Sequence, residues 1–238
     1  MIARDVILKG VALFLTICYC QLGCAAAQIP PPLGLTVPQA LKKYGASARK
    51  QLREECAEAG ISYPPKRLTI VGLKDEKLLL LFGGNESVKL IHSFPLVSFS
   101  GVLGPKLKEG DLQIPEGIYR VTGLAASFRL TLKLNYPNEM DRKNAAVDGR
   151  TKLGGDILVH GGSVSTGCLV ISMDDMQQVF VAVNDVGISN TKVIIAPCDL
   201  TKREAPVDMK TQPQWLPALY KAIKSEMPKN CLDSNLNP

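Results

Sequence analysis

Short apolar runs separated by turn residues fill the middle of the chain and constrain its fold more than any other feature. The runs lie at residues 68–73, 78–82, 88–98, 118–124, 128–135, 156–160 and 192–196. Apolar and β-branched runs of this length, bounded by Gly, Pro, Asn and Asp, are typical of β-strands. Residues 174–183 instead have helical spacing and follow an aspartate-containing start signal. The sequence therefore predicts a mostly β domain with one short internal helix.

The segments on either side of this region have a different pattern. Residues 28–36 are proline-rich, and residues 37–60 carry apolar side chains at helical spacing between charged ones. The tail from residue 201 is polar, with one helical stretch at residues 215–224. We expect a linker and amphipathic N-terminal helix over 28–66, the domain over 67–200, and a polar C-terminal extension over 201–238.

The N-terminus has the organisation of an export signal. Arg4 and Lys9 precede an uncharged apolar stretch, and Ala25-Ala26-Ala27 supplies a signal peptidase pattern. The sequence predicts a signal peptide over 1–27, a mature protein that begins at Gln28, and a periplasmic location. An uncleaved membrane anchor and lipidation at Cys24 are the alternatives, so contact with the membrane is expected through the leader alone.

Charge and cysteine content exclude several classes of protein. The net charge of +6 is scattered along the chain, whereas a nucleic-acid-binding domain carries a clustered basic stripe. Beyond the leader the cysteines are Cys56, Cys168, Cys198 and Cys231, and no C-x-x-C pair occurs. This excludes a thioredoxin-like or zinc-ribbon site. A disulfide between Cys198 and Cys231 is allowed by the sequence but not required.

One segment carries residues suited to nucleophilic chemistry. A strand ends at His160, glycines follow, and Cys168 begins the next apolar run. A thiol nucleophile needs a base within hydrogen-bond reach and donors for the oxyanion, and the amides of Gly167 and Cys168 fit that second role. On spacing alone, a small core cysteine and a structural histidine explain the segment equally well. Two adjacent ligands are too few for zinc, so neither a metal nor a cofactor is expected.

The same segment resembles a known catalytic family. His160-Gly161 followed by Ser165-Thr166-Gly167-Cys168 is similar to the motif of the L,D-transpeptidase catalytic domain, the YkuD-type family. Its YafK-like branch has further signatures that this chain matches in order: Gly104-Pro105-Lys106, Glu109-Gly110-Asp111, Pro115-Glu116-Gly117-Ile118-Tyr119, Tyr136-Pro137-Asn138 and Asp141-Arg142. The resemblance spans residues 68–197. It implies a YkuD-like β-sandwich of mixed sheets, to which the N-terminal helix and the C-terminal helical tail are added.

The resemblance also implies a chemistry. Cys168 would be the nucleophile and His160 its base, in acyl transfer through a thioester on the diaminopimelate carbonyl of a peptidoglycan stem peptide. A thiol beside an imidazolium is expected to have a lowered pKa. The expected substrate-binding residues are Arg142, Lys106, Thr166 and Tyr136. His92 is expected to be structural, and Asp156 to orient the catalytic loop or to cap a turn.

Three departures from the family pattern leave the acceptor open. Seven residues separate His160 from Cys168, Thr166 replaces the usual second histidine, and Val170 stands where many members have Arg or Asn. The first alternative to a transpeptidase is therefore a cysteine amidase of the same fold, which cleaves crosslinks or releases a wall-anchored lipoprotein. A second alternative is a non-catalytic wall-binding module.

Overall fold

The structure is a computed structural model that describes residues 34–229, 231 and 232. The predicted signal peptide lies outside the described residues. The helices are α1 (Val37–Glu58), α2 (Glu139–Val147), α3 (Met173–Val186) and α4 (Leu216–Glu226). The strands are β1 (Arg67–Leu73), β2 (Leu78–Gly84), β3 (Val88–Pro95), β4 (Gly117–Ala125), β5 (Thr131–Leu134), β6 (Leu158–Gly161), β7 (Leu169–Ile171) and β8 (Thr191–Ala196).

The strands follow the order β3-β2-β1-β8-β4-β5-β6-β7. Strand β4 joins two halves, because Gly117–Arg120 pair with β8 and Val121–Ala125 pair with β5, with an irregularity between Val121 and Gly123. The pairs β1–β8 and β6–β7 are parallel and the others are antiparallel. The prediction of a mostly β fold with an N-terminal and a C-terminal helix is confirmed.

The central strands bury both of their faces. Successive side chains of a strand point to opposite sides. Ile70 of β1 lies in the apolar cluster that includes α1 and α3, while its neighbour Val71 lies in the cluster that includes α4. This two-sided burial explains why β1 and β8 are nearly continuous apolar runs instead of alternating ones.

Helix α1 is fixed at its start and along its length. Thr36 and Gln39 form a capping box that satisfies amides at the N-terminus. Arg49 donates to Asp185 of α3 at 2.7 and 2.8 Å, and Tyr63 donates to the same carboxylate at 2.8 Å. His92 of β3 lies 3.0 Å from Glu55 of α1. His92 therefore connects a strand to a helix, as expected of a structural histidine.

Helix α2 was not predicted, and the predicted C-terminal helix α4 packs closely on the sheet. Helix α2 is a second internal helix, begun by a capping box of Asn138 and Asp141, and only Ala145 of it is buried. Helix α4 packs on the sheet through four buried side chains, so the C-terminal extension is part of the same compact unit as the strands. Within the part of the chain that the structure describes, no helix is long and apolar enough to cross a membrane.

Candidate active site

Strand β6 carries His160, and Cys168 immediately precedes the neighbouring strand β7. The two strands are parallel, with His160 opposite Val170. Cys168 lies two residues before Val170 and immediately before β7. His160 is 4% exposed and Cys168 is 9% exposed. The predicted nucleophile and base therefore lie on neighbouring segments of the sheet, and both side chains are buried.

The sulfur of Cys168 is held by the main chain at the start of β6. The Leu158 N–H donates a hydrogen bond to it, and Sγ donates to the Asp156 carbonyl at 3.9 Å. Asp156 has a φ of 53°, a left-handed conformation that Asp tolerates better than most residues. The Asp156 carboxylate instead binds Lys133 at 2.8 Å in solvent. Asp156 thus acts on the thiol through its backbone.

The hydrogen bonds of His160 define which nitrogen can accept a proton. Nδ1 lies 3.0 Å from the Gly161 carbonyl, so Nδ1 carries the hydrogen and donates it. Nε2 then keeps its lone pair and is the basic nitrogen. Arg129 Nη1 lies 3.3 Å from Nδ1. Because that nitrogen is already a donor, the guanidinium acts on the ring as a nearby positive charge.

The charge states of the pair differ from the sequence-based expectation. Burial raises the pKa of Cys168, although the Leu158 amide and the charges of Arg129 and Lys106 offset part of the effect. Burial also lowers the pKa of His160, and Arg129 lowers it further, against the hydrogen bond to Gly161. The predicted lowering of the thiol pKa is therefore wrong. At neutral pH the resting pair is a thiol beside a neutral imidazole.

A set of serines, which we call the serine clamp (Ser98, Ser100 and Ser165), holds the loop between His160 and Cys168. The Ser165 N–H donates to Ser98 Oγ at 2.9 Å, and the Ser165 hydroxyl donates to the Cys168 carbonyl at 2.8 Å. Ser100 Oγ lies 2.9 Å from Ser165 Oγ. The roles of Ser98 and Ser100 were not predicted from the sequence. The one available signal was a pair of serines, separated by a single residue, shortly after β3.

The serine clamp changes the predicted oxyanion site. The Gly167 N–H donates to Ser100 Oγ at 2.8 Å, so in this structure it is not available to an oxyanion. The Cys168 N–H has no protein acceptor among the described residues and remains the candidate donor. Gly167 has a φ of 115°, and a Cβ there would lie 3.1 Å from the Gln113 carbonyl. Its role is conformational, because a side chain is strained at that position.

The region that contains His160 and Cys168 matches the model of a known protein family. The family model of the L,D-transpeptidase catalytic domain, YkuD, matches residues 66–195, which is more than half of the chain. This chain belongs to the L,D-transpeptidase catalytic domain family. The matched range includes both His160 and Cys168.

The individual relatives share limited sequence identity with this chain. YafK proteins of Escherichia coli strains K12 and O157:H7 are each 28% identical over 136 residues, which is 54% of this chain and 53% of theirs. The chain thus spans about half the length of these curated relatives. Among solved structures, the helical cell shape determining protein Pgp2 of Campylobacter jejuni has a TM-score of 0.46 at 19% identity, covering 60% of this chain and 50% of that one. Bd1075 of Bdellovibrio bacteriovorus has a TM-score of 0.40 at 22% identity, covering 56% and 48%.

Two predicted substrate-binding residues of this L,D-transpeptidase domain are engaged in the protein itself. Lys106 forms an ion pair with Asp111 and donates to the Lys108 carbonyl at 3.0 Å, and its side chain is 6% exposed. Tyr136 is 7% exposed, and its hydroxyl donates to the Leu153 carbonyl at 3.1 Å. Both side chains organise neighbouring loops, and their contact with substrate stays a prediction.

The other two predicted binding residues lie in different places. Arg142 lines an open groove of about 1170 Å³, whose lining includes no residue of the segment 156–171. The prediction that Arg142 binds substrate stays a prediction. Thr166 is exposed in the loop that ends at Cys168, so its prediction as a substrate contact stands.

Thiol labelling tests the environment of Cys168. With limiting iodoacetamide near neutral pH, Cys168 should react first, because Cys56, Cys198 and Cys231 are 0% exposed. Burial also raises the pKa of Cys56 and Cys198 to about 11 and that of Cys231 to about 12. All four thiols are free in the structure. Peptide mapping by mass spectrometry reads the order, with Cys168→Ala as the control. Equal labelling of Cys56 and Cys168 would contradict the expectation that Cys168 is the more accessible thiol.

Proposed function

We propose that this protein is a periplasmic peptidoglycan L,D-transpeptidase that forms a thioester on Cys168. The observation that carries the proposal is a buried thiol just before β7 and, on the adjacent strand β6, a neutral imidazole whose Nδ1 is fixed by the Gly161 carbonyl at 3.0 Å. That arrangement supplies a nucleophile, a base and an orienting group, which are the three elements of cysteine acyl transfer. The family membership supports the same chemistry.

The acylation step follows from the positions of these groups. His160 Nε2 takes the proton of the Cys168 thiol while Sγ attacks the diaminopimelate carbonyl carbon of a stem peptide. The carbonyl oxygen becomes an oxyanion, for which the free Cys168 N–H is the available donor. The C–N bond then breaks, the amine leaves with the proton from the imidazolium, and the acyl group remains on sulfur as a thioester.

The second step defines the enzyme class. His160 removes a proton from the incoming nucleophile, which attacks the thioester and releases the Cys168 thiol with that proton. An amine of another stem peptide gives a new crosslink, and water gives a trimmed peptide. Hydrolysis is the second candidate, because the residue at the family's usual Arg or Asn position, Val170, is buried at 0% exposure. That position therefore presents no charged group to an acceptor. An amidase that releases a wall-anchored lipoprotein would use this same step.

Incubation of the mature protein with purified muropeptides tests the proposal. Transpeptidation should give new crosslinks between two third residues, and hydrolysis should give trimmed stems, which mass spectrometry separates. A parallel reaction in H₂¹⁸O should label the product carboxylate in hydrolysis alone. The Cys168→Ala protein is the matched control. Products formed equally by that variant, or the absence of any product, would reject acyl transfer through Cys168.

A further inference from the structure

An arginine that no motif singled out lies at the mouth of the site. Arg129 is exposed on the connection between β4 and β5. Its Nη1 lies 3.3 Å from His160 Nδ1, and a Cβ built on Gly162 would lie 3.5 Å from the same Nη1. Arg129 therefore borders both the base and the loop that leads to the nucleophile.

The protein gives this guanidinium no anion to bind. Within the described residues Arg129 forms no salt bridge, whereas Arg49, Arg150 and Arg203 each bind a carboxylate. Its nearest polar side-chain atom, His160 Nδ1, is a donor and cannot accept its hydrogen bond. A cation in this position also makes protonation of His160 less favourable, which opposes catalysis. An anionic ligand bound to Arg129 would offset this effect of its charge on His160.

The other cations around the thiol are already neutralised. Lys106 is paired with Asp111, and Lys133 is paired with Asp156. Arg142 lies in the separate groove. Of these cations, Arg129 is the one that lies against His160 and has no carboxylate partner among the described residues. A planar guanidinium can give two parallel hydrogen bonds to one carboxylate, a geometry that an ammonium lacks.

We infer that Arg129 binds the side-chain carboxylate of the donor residue that Cys168 attacks. This inference rests on the proposed function, in which that residue is a diaminopimelate with a free carboxylate at the far end of its aliphatic chain. The exposed side chain of Val164, two residues beyond Gly162, offers an apolar surface on the same loop. Bound this way, the donor residue is fixed at both ends, and a neutral side-chain amide is discriminated against.

Peptide binding to the Cys168→Ala protein tests the inference without turnover. Calorimetry would compare a tetrapeptide stem with free carboxylates, the same stem amidated on diaminopimelate, and the stem amidated on its C-terminal D-alanine. The free stem should bind about tenfold or more tightly than the diaminopimelate amide, because a charged hydrogen bond is lost. Adding Arg129→Gln should remove that preference, and Arg129→Lys should keep part of it. The D-alanine amide should bind like the free stem.

Arg120→Gln is the control for general electrostatics. Arg120 is also exposed, on β4, but it lies in the groove with Arg142. It should leave the preference for the free stem unchanged. A preference that survives Arg129→Gln, is lost equally in Arg120→Gln, or follows the D-alanine carboxylate would overturn the inference. Stem discrimination through Arg129 in a protein that turns over no muropeptide would instead reject the proposed function and retain this binding site.

Discussion

Replacing His160 by alanine should lower kcat/KM for acyl transfer by about 10²–10⁴-fold, the usual contribution of a positioned general base. Replacing Cys168 by alanine should leave no thioester at all. The reason for the first effect lies in the charge states of the pair. Because the pKa of Cys168 is raised and that of His160 is lowered, the thiol does not ionise by itself at neutral pH. It needs Nε2 to accept its proton during attack. Steady-state kinetics on muropeptides would measure both variants.

The pH profile and a second histidine give the controls. In the native protein the acid limb of kcat/KM should have its midpoint below the ordinary histidine value of about 6.5, because the pKa of His160 is lowered. This limb should be absent in His160→Ala. His92→Ala should keep near-native turnover and lose a little stability, since His92 binds Glu55 at 3.0 Å. Near-native rates in His160→Ala, or an acid limb that survives it, would show that another group is the base.

The β framework could be predicted because its signals are local. The central strands are apolar on both faces, so β1 and β8 are visible as continuous runs bounded by turn residues. Helix α2 could not be found in this way, because a helix with one buried residue, Ala145, has no apolar stripe. Its capping pair, Asn138 and Asp141, was the remaining signal. Helix α4 packs on the face of the sheet opposite to α1 and α3, and a local sequence pattern does not indicate such a long-range contact.

The candidate site could be predicted in its nucleophile and base but not in its surroundings. His160 and Cys168 lie close in sequence, and the glycines between them imply a tight connection. Ser100 binds the Gly167 amide from 67 positions away, and Arg129 approaches His160 from 31 positions away. Such contacts depend on the sheet order. The direction of the Cys168 pKa shift was mispredicted for a related reason, because it is set by burial, which the motif does not specify.

A buried ion pair fixes the loop that follows Ser98 and Ser100. Lys74 and Glu116 lie 2.9 Å apart, and both side chains are 0% exposed. Lys74 also donates to the carbonyls of Gly104 and Ile114 at 2.8 and 3.0 Å, so all three of its hydrogens are used. Glu116 accepts from the Gly104 N–H at 2.8 Å and from the Tyr220 hydroxyl of α4 at 2.7 Å. The pair thus ties β1, the loop before β4 and the C-terminal helix together.

Removing one member of this pair should have the largest effect on stability of any substitution considered. Glu116→Ala leaves the Lys74 ammonium desolvated without a counter-charge, which should lower the free energy of unfolding by about 3–5 kcal/mol. Glu226→Ala is the matched control. It breaks a 2.6 Å pair with Lys192 in which the two side chains are 40% and 47% exposed, and it should cost less than about 1 kcal/mol. Urea denaturation with an unchanged m-value would measure both.

A double replacement separates two contributions to stability: the destabilisation by one unpaired buried charge, and the net stabilisation by the ion pair. Lys74→Met combined with Glu116→Leu removes both charges and fills similar volume, so much of the stability lost in Glu116→Ala should return. The Tyr220 hydroxyl and the Gly104 N–H would still lack their acceptor, which limits the recovery. Equal losses in Glu116→Ala and Glu226→Ala would show that the buried pair does not hold the loop. A double variant no more stable than Glu116→Ala would place the loss in these hydrogen bonds instead of in the unpaired ammonium.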